Sequence, residues 1–74
     1  MVQTHMKKNI ITNTYDLEVG KLYMPPYTDN IEKTSQIYLC MKKDKTTVVV
    51  YNIKHNTFYS MRGGDIVYLE ELTE

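Results

Sequence analysis

No alanine occurs anywhere in this chain, and Ile, Val, Thr and Tyr take up the positions where a helical protein would use it. β-Branched and aromatic side chains lose rotamer freedom against a helical turn and pack well on a pleated surface, so local preference runs toward strands along the whole length. No segment carries a helical stripe. Gln36 to Lys42 alternates Ile37, Leu39 and Met41 with Tyr38 and Cys40, a period of two that predicts a half-buried strand with the first three side chains in the core. Thr46 to Ile53 is apolar on both faces, with Thr47, Val49, Tyr51 and Ile53 on one and Thr46, Val48, Val50 and Asn52 on the other, as an interior strand of a curled sheet requires.

Turn chemistry divides these runs. Lys43-Asp44-Lys45 predicts a short hairpin loop, and Lys54-His55-Asn56 a tight turn in which Asn56 takes the left-handed conformation. Thr57 to Met61 returns as a strand, and Arg62-Gly63-Gly64-Asp65 breaks it before a last strand, Ile66 to Glu70. At the N-terminal side, Asp16 to Val19 leads through Gly20 into Lys21 to Met24, where Pro25 and Pro26 end the ladder because neither can donate to it.

The order is thus strand, a longer loop from Pro25 to Ser35, strand, short loop, strand, tight turn, strand, glycine turn, strand. Over residues 15–70 this spacing resembles the SH3-like small β-barrel, an all-β fold with five strands. The resemblance is one of topology. The ALYDY-type motif and groove tryptophan of SH3 domains that bind proline-rich peptides are both missing, so recognition of such peptides is not carried over. A five-stranded OB-like barrel would want longer strands and a connecting helix. Residues 1–14 are expected to be a flexible N-terminal segment, within which Met1 to His5 reads as a leader or an upstream initiation ahead of Met6-Lys7-Lys8. Residues 71–74 are expected to be a frayed acidic tail.

Seventy-four residues allow one domain with a thin core. Cys40 is the single cysteine, so no internal disulfide is available, and homodimerisation is the remaining source of extra stability. Nine basic and nine acidic residues cancel, which removes any global attraction to nucleic acid or an anionic membrane. The first residues never form an apolar run of signal-peptide or spanning length, and with a lone thiol this predicts a cytoplasmic protein. The preference for Lys, Asn, Ile and Tyr reflects A/T-rich codons, a bias of many bacteriophages and low-GC bacteria.

The segment Leu22 to Tyr27, LYMPPY, has the look of a recognition motif, but Tyr27 follows Pro26 directly rather than at PPxY spacing and PxxP is missing. It reads more simply as a strand ending in a stiff loop flanked by Tyr23 and Tyr27. Seven tyrosines are too many for so small a core, because each buried hydroxyl needs a partner. Tyr23 and Tyr38, opposite the expected core faces, are therefore expected at the surface. Lys42, Lys43, Lys45 and Lys54 with Tyr38 would make a basic aromatic platform for single-stranded nucleic acid, against the ordinary reading of solvated hairpin ends. For catalysis there is little: His5, His55 and Cys40 have no metal-ligand spacing, Asp65 follows a glycine pair as turn residues do, and Asp29 and Glu32 lie in a polar loop.

The expectation is a non-catalytic module, without cofactor or metal, that binds a protein through Tyr23, Tyr27, Ile31 and Tyr38 as anchors, with Lys33 and Lys43 at the rim. Exposed strand edges offer a second mode of association. A phage accessory protein that inhibits or redirects a host factor would fit. The alternatives are a nucleic-acid-binding barrel using the lysines and a homo-oligomer that binds a small anionic ligand.

Overall fold

The computed structural model describes residues 9–26 and 31–72. Six strands form one antiparallel sheet: β1 (Ile10–Asn13), β2 (Leu22–Met24), β3 (Tyr38–Lys43), β4 (Thr47–Asn52), β5 (Thr57–Arg62) and β6 (Ile66–Leu72), in the order β1-β6-β2-β3-β4-β5. The class is all-β as expected, but the strand count is six and not five. The additional strand is β1, inside the segment expected to be flexible: Ile11 is buried against the core while β1 pairs with β6, Ile10 opposite Glu70 and Ile11 opposite Leu69. Two isoleucines and a ladder to β6 suffice to hold a stretch too short for an alternation to be recognised.

The sheet curls into an open half-barrel with Ile11, Leu17, Tyr23, Cys40, Val48 and Val50 packed on its inner face. β4 runs between β3 and β5, and its Val48, Val50 and Asn52 face inward while Thr47, Val49 and Tyr51 stay half-buried outside, so the two-faced apolar reading holds. The turns expected at Lys54-His55-Asn56 and at Arg62-Gly63-Gly64-Asp65 are both present. Asn56 has φ of 59°, and Gly64, with φ of 91°, turns β5 into β6.

Ile37 is buried as expected, but from Tyr38 onward β3 departs from expectation in phase. Cys40 is buried and Tyr38 packs on the core, whereas Met41 is 43% exposed. Tyr38 and Cys40 are themselves apolar enough for the inner face, so the alternation was degenerate, and the register to β4 decides it: Tyr38 sits opposite Asn52 and Cys40 opposite Val50, both inward-facing. A bulge between Cys40 and Lys42 then brings Lys43 opposite Val48, on the inner side.

β1 passes into a 3-10 turn, Thr14–Asp16, whose start is capped by the Asn13 carboxamide accepting from the Tyr15 N–H at 2.8 Å. Contacts from Thr14 and Tyr15 clip this turn to the β5–β6 connection and to the β3–β4 loop, among them the Thr14 N–H donating to the Asp65 carbonyl at 3.0 Å. Thr14 is fully buried, donates its hydroxyl proton to the Arg62 carbonyl at 2.9 Å and accepts the Gly64 N–H at 2.9 Å. The Tyr15 hydroxyl donates to the Lys45 carbonyl, and its ring packs against Gly63, where an added Cβ would collide with Cζ and the hydroxyl oxygen. Gly63→Ala should therefore push the Tyr15 ring aside and cost about 1–2 kcal/mol. In a Tyr15→Ala background the same change should be close to neutral, a non-additivity that urea titration of the four variants reads directly.

Candidate functional site

The half-barrel is not closed, and the gap between β5 and β6 leaves part of the inner face uncovered. There a cleft of about 400 Å³ is lined by Tyr38, Val50, Tyr59, Met61, Val67 and Leu69, with Ser60 and Tyr68 at its margin. Its position follows from the strand periods. Tyr59 and Met61 face inward from β5 because they pair with Val50 and Val48, and Val67 and Leu69 face inward from β6 because Leu69 pairs with Ile11. The rings of Tyr38 and Tyr59 meet edge to face at 6.1 Å, forming one wall. Among the described residues no charged side chain lines the cleft.

On the outer face, Tyr51 and Phe58 pack with centroids 4.8 Å apart and ring planes tilted by 39°, and Phe58 is 63% exposed. β5 is an edge strand, and from Thr57 to Met61 it carries no charge. The other edge, β1, is shorter and interrupted by a bulge between Ile11 and Asn13.

The residues expected from sequence to form a single patch are spread apart. Tyr23 is not a surface ring: it is fully buried, its hydroxyl accepts the Glu18 N–H at 2.8 Å, and burial raises the phenol above its ordinary pKa. Its inward direction follows from pairing with both Tyr38 and Glu71, which places the ring under the sheet. Tyr27 lies outside the described residues. Ile31 and Lys33 are exposed beside the β4–β5 turn, where the Lys54 ammonium donates to the Ile31 and Glu32 carbonyls, each at 3.3 Å. Tyr38 belongs to the cleft. Sequence reading missed Tyr59, Met61, Val67 and Leu69 because Phe58 in β5 and Ile66 and Tyr68 in β6 put apolar side chains on the opposite face as well; the available signal was that an odd-numbered face ran through both strands across the glycine turn.

Nor do the lysines form one platform. Lys42, Lys43 and Lys45 stand at one end of β4 and Lys54 at the other, separated by six strand residues, or roughly 20 Å. Lys43 is occupied in holding the 3-10 turn: its ammonium donates to the Tyr15 carbonyl at 2.8 Å and the Leu17 carbonyl at 2.9 Å. Lys43→Met should cost about 1–2 kcal/mol in chemical denaturation, since charge-assisted bonds to carbonyls left unpaired by the turn are lost. Arginine at this position should recover part of that loss.

Ionisable groups elsewhere serve turns and strand ends. The Asp44 carboxylate accepts the Thr46 and Thr47 N–H groups at 3.0 and 2.9 Å, which holds its pKa below the ordinary value. Glu71 is likewise lowered, above all by the Lys21 ammonium at 3.0 Å and further by Asn9. Both carboxyls bind protons more weakly folded than unfolded, so their contribution is complete above the ordinary carboxylate range and disappears as pH falls through about 4 and below. Melting temperature should decline over that window, and Asp44→Asn should make the decline shallower. Burial pushes the Cys40 thiol up, so it stays protonated and unreactive at neutral pH. Among the described residues no three His, Cys, Asp or Glu side chains come together to hold a metal ion.

A second depression, about 600 Å³, lies beside Tyr15 and is bordered by Lys45, Thr46, Thr47 and Arg62. It is wide and partly polar, unlike the cleft. No protein-family model matches the chain, and no curated protein or solved structure is significantly similar to it, so the fold and these two surfaces are what inform function.

Proposed function

We propose that this chain is a non-catalytic binding module that takes an apolar segment of a partner protein into the inner-face cleft. The observation that carries the reading is the lining itself: three tyrosines, a methionine, three branched aliphatic side chains and one serine, without a charge among them. Such a surface offers stiff aromatic anchors and an adaptable thioether, and nothing that would neutralise phosphate. Two of the four lysines put forward for nucleic acid donate to backbone carbonyls, and the four are divided between opposite ends of β4, which weighs against a basic track. We read the half-barrel as a variant of the SH3-like small barrel, with the connection after β2 as its long first loop.

The test is capture of a partner from a lysate of the source organism, with and without nuclease, using wild type, Tyr38→Ala and Tyr68→Ala. A protein retained after nuclease treatment and lost with both variants, each still folded by circular dichroism, is the expected outcome. Retention that disappears on nuclease digestion would overturn the reading.

A second reading has one observation behind it. Lys45 and Arg62 both border the depression by Tyr15, which suits a small anionic ligand. A rise in melting temperature with a nucleotide or phosphate, abolished in Lys45→Glu, would support it.

A further inference from the structure

The backbone of β5 is arranged to pair with itself. The Gly63 N–H donates to the Thr46 carbonyl at 2.8 Å and the Asn56 N–H to the Asn52 carbonyl at 2.7 Å, so even-numbered residues of β4 face β5. The Ile53 N–H donates to the Ile37 carbonyl at 2.9 Å, which places the odd-numbered residues of β4 toward β3. With Asn52 opposite Thr57, Val50 opposite Tyr59 and Val48 opposite Met61, the ladder to β4 uses Thr57, Tyr59 and Met61. Phe58 and Ser60 therefore turn their N–H and C=O groups out along the free edge. Arg62 points the same way, but its carbonyl already receives the Thr14 hydroxyl at 2.9 Å and the Asp65 N–H at 3.2 Å.

We infer that two copies of this chain associate through β5, antiparallel about a two-fold axis, with Phe58 opposite Ser60 of the second copy and Tyr59 opposite Tyr59. This register uses only the outward groups of Phe58 and Ser60, two bonds for each Phe58–Ser60 pair, and leaves the occupied Arg62 carbonyl beyond the ladder. A register shifted by one pair would centre on Ser60 and require that carbonyl. No like charges meet, because Thr57 to Met61 is uncharged. β1 is the poorer candidate, being four residues long and bulged, a form that discourages pairing.

A two-fold axis perpendicular to the sheet keeps the inner faces on the same side. The two clefts then join across the paired Tyr59 rings into one apolar trough. The association does not depend on what fills the cleft, and it is measured on the chain alone. The contact sits near the small end of specific interfaces, about 1,000 Å², so monomer and dimer should exchange over the micromolar range.

Sedimentation equilibrium of wild type should show a concentration-dependent dimer. Ser60→Pro should abolish it while the circular dichroism spectrum is kept, because the Ser60 N–H is not part of the β4 ladder; Ser60→Lys, which keeps that N–H, should abolish it too. Under mild oxidation Tyr59→Cys should yield a covalent dimer, since directly opposed residues of a non-hydrogen-bonded pair lie about 4.5 Å apart at Cα, and Ser60→Cys should not. Cys40 is buried and leaves this readout clean. A wild type that stays monomeric at its solubility limit, or a dimer that survives both Ser60 variants, would overturn the inference while leaving the cleft reading untouched. Crosslinking through Ser60→Cys rather than Tyr59→Cys would overturn the register.

Discussion

Tyr23→Ala is expected to remove a large part of the folding free energy and to lower the melting temperature more than Thr14→Val, Gly63→Ala or Lys43→Met. The ring is fully buried at the centre of the sheet, in β2 between β6 and β3, and packs in the cluster with Leu17, Cys40 and Val50. Removing an aromatic side chain from such a site costs about 3–5 kcal/mol, through lost transfer free energy and the cavity left behind. A domain of this length has a total stability of about 4–11 kcal/mol, so one substitution consumes a large part of it. Tyr23→Phe keeps the ring but leaves the Glu18 N–H without its hydroxyl acceptor, and should cost about 1 kcal/mol. Thermal melts of the two variants separate the roles. A surface anchor would behave the other way, with Tyr23→Ala as stable as wild type.

Thr14→Val is expected to be the most damaging change that preserves side-chain shape. Thr14 is fully buried, and its hydroxyl both donates to the Arg62 carbonyl and accepts the Gly64 N–H. Arg62 retains the Asp65 N–H at 3.2 Å, but the Gly64 N–H loses its acceptor against a methyl group. The loss should be about 2–3 kcal/mol, which for a domain of this size lowers the melting temperature by roughly 8–24 °C. Thr14→Ser keeps the hydroxyl and should fall much less. The effect is large because this one oxygen joins β1 to the β5–β6 turn, two places far apart in sequence. Hydrogen exchange should accordingly rise in β1 and at Gly64 in the valine variant before it rises in β3 and β4.

Tyr23 and Lys43 show what could not be read ahead of the structure. Tyr23 was assigned a side by counting along its own strand and Lys43 was placed in a hairpin loop at the rim of a surface patch, and in each case a neighbouring strand decided otherwise. For Tyr23 the alternation Leu22, Tyr23, Met24 offers an apolar residue at every position, so the period carries no phase. Pairing with Tyr38 and Glu71 chose it. Lys43 instead continues β3 beyond a bulge that nothing in Leu39 to Lys43 announces, and its ammonium reaches the Tyr15 and Leu17 carbonyls at the 3-10 turn. The cleft was invisible for a related reason. Its walls come from β3, β4, β5 and β6, and whether Tyr59 and Leu69 are covered depends on whether the sheet closes over them.

Composition and turn chemistry alone determined that the chain is built of strands, where four of its connections lie, and that Asn56 and the Gly63-Gly64 pair turn the chain. These are local properties, set by side-chain rotamer loss, by the missing N–H of proline and by the freedom of glycine and asparagine at positive φ. Only the tertiary structure decided that Ile10 and Ile11 make a sixth strand, that Tyr23 faces inward and that β5 is left as an unpaired edge. Those depend on strand order and register, which are chosen by contacts between residues distant in sequence, and a period-2 pattern that is apolar on both faces satisfies more than one choice equally well.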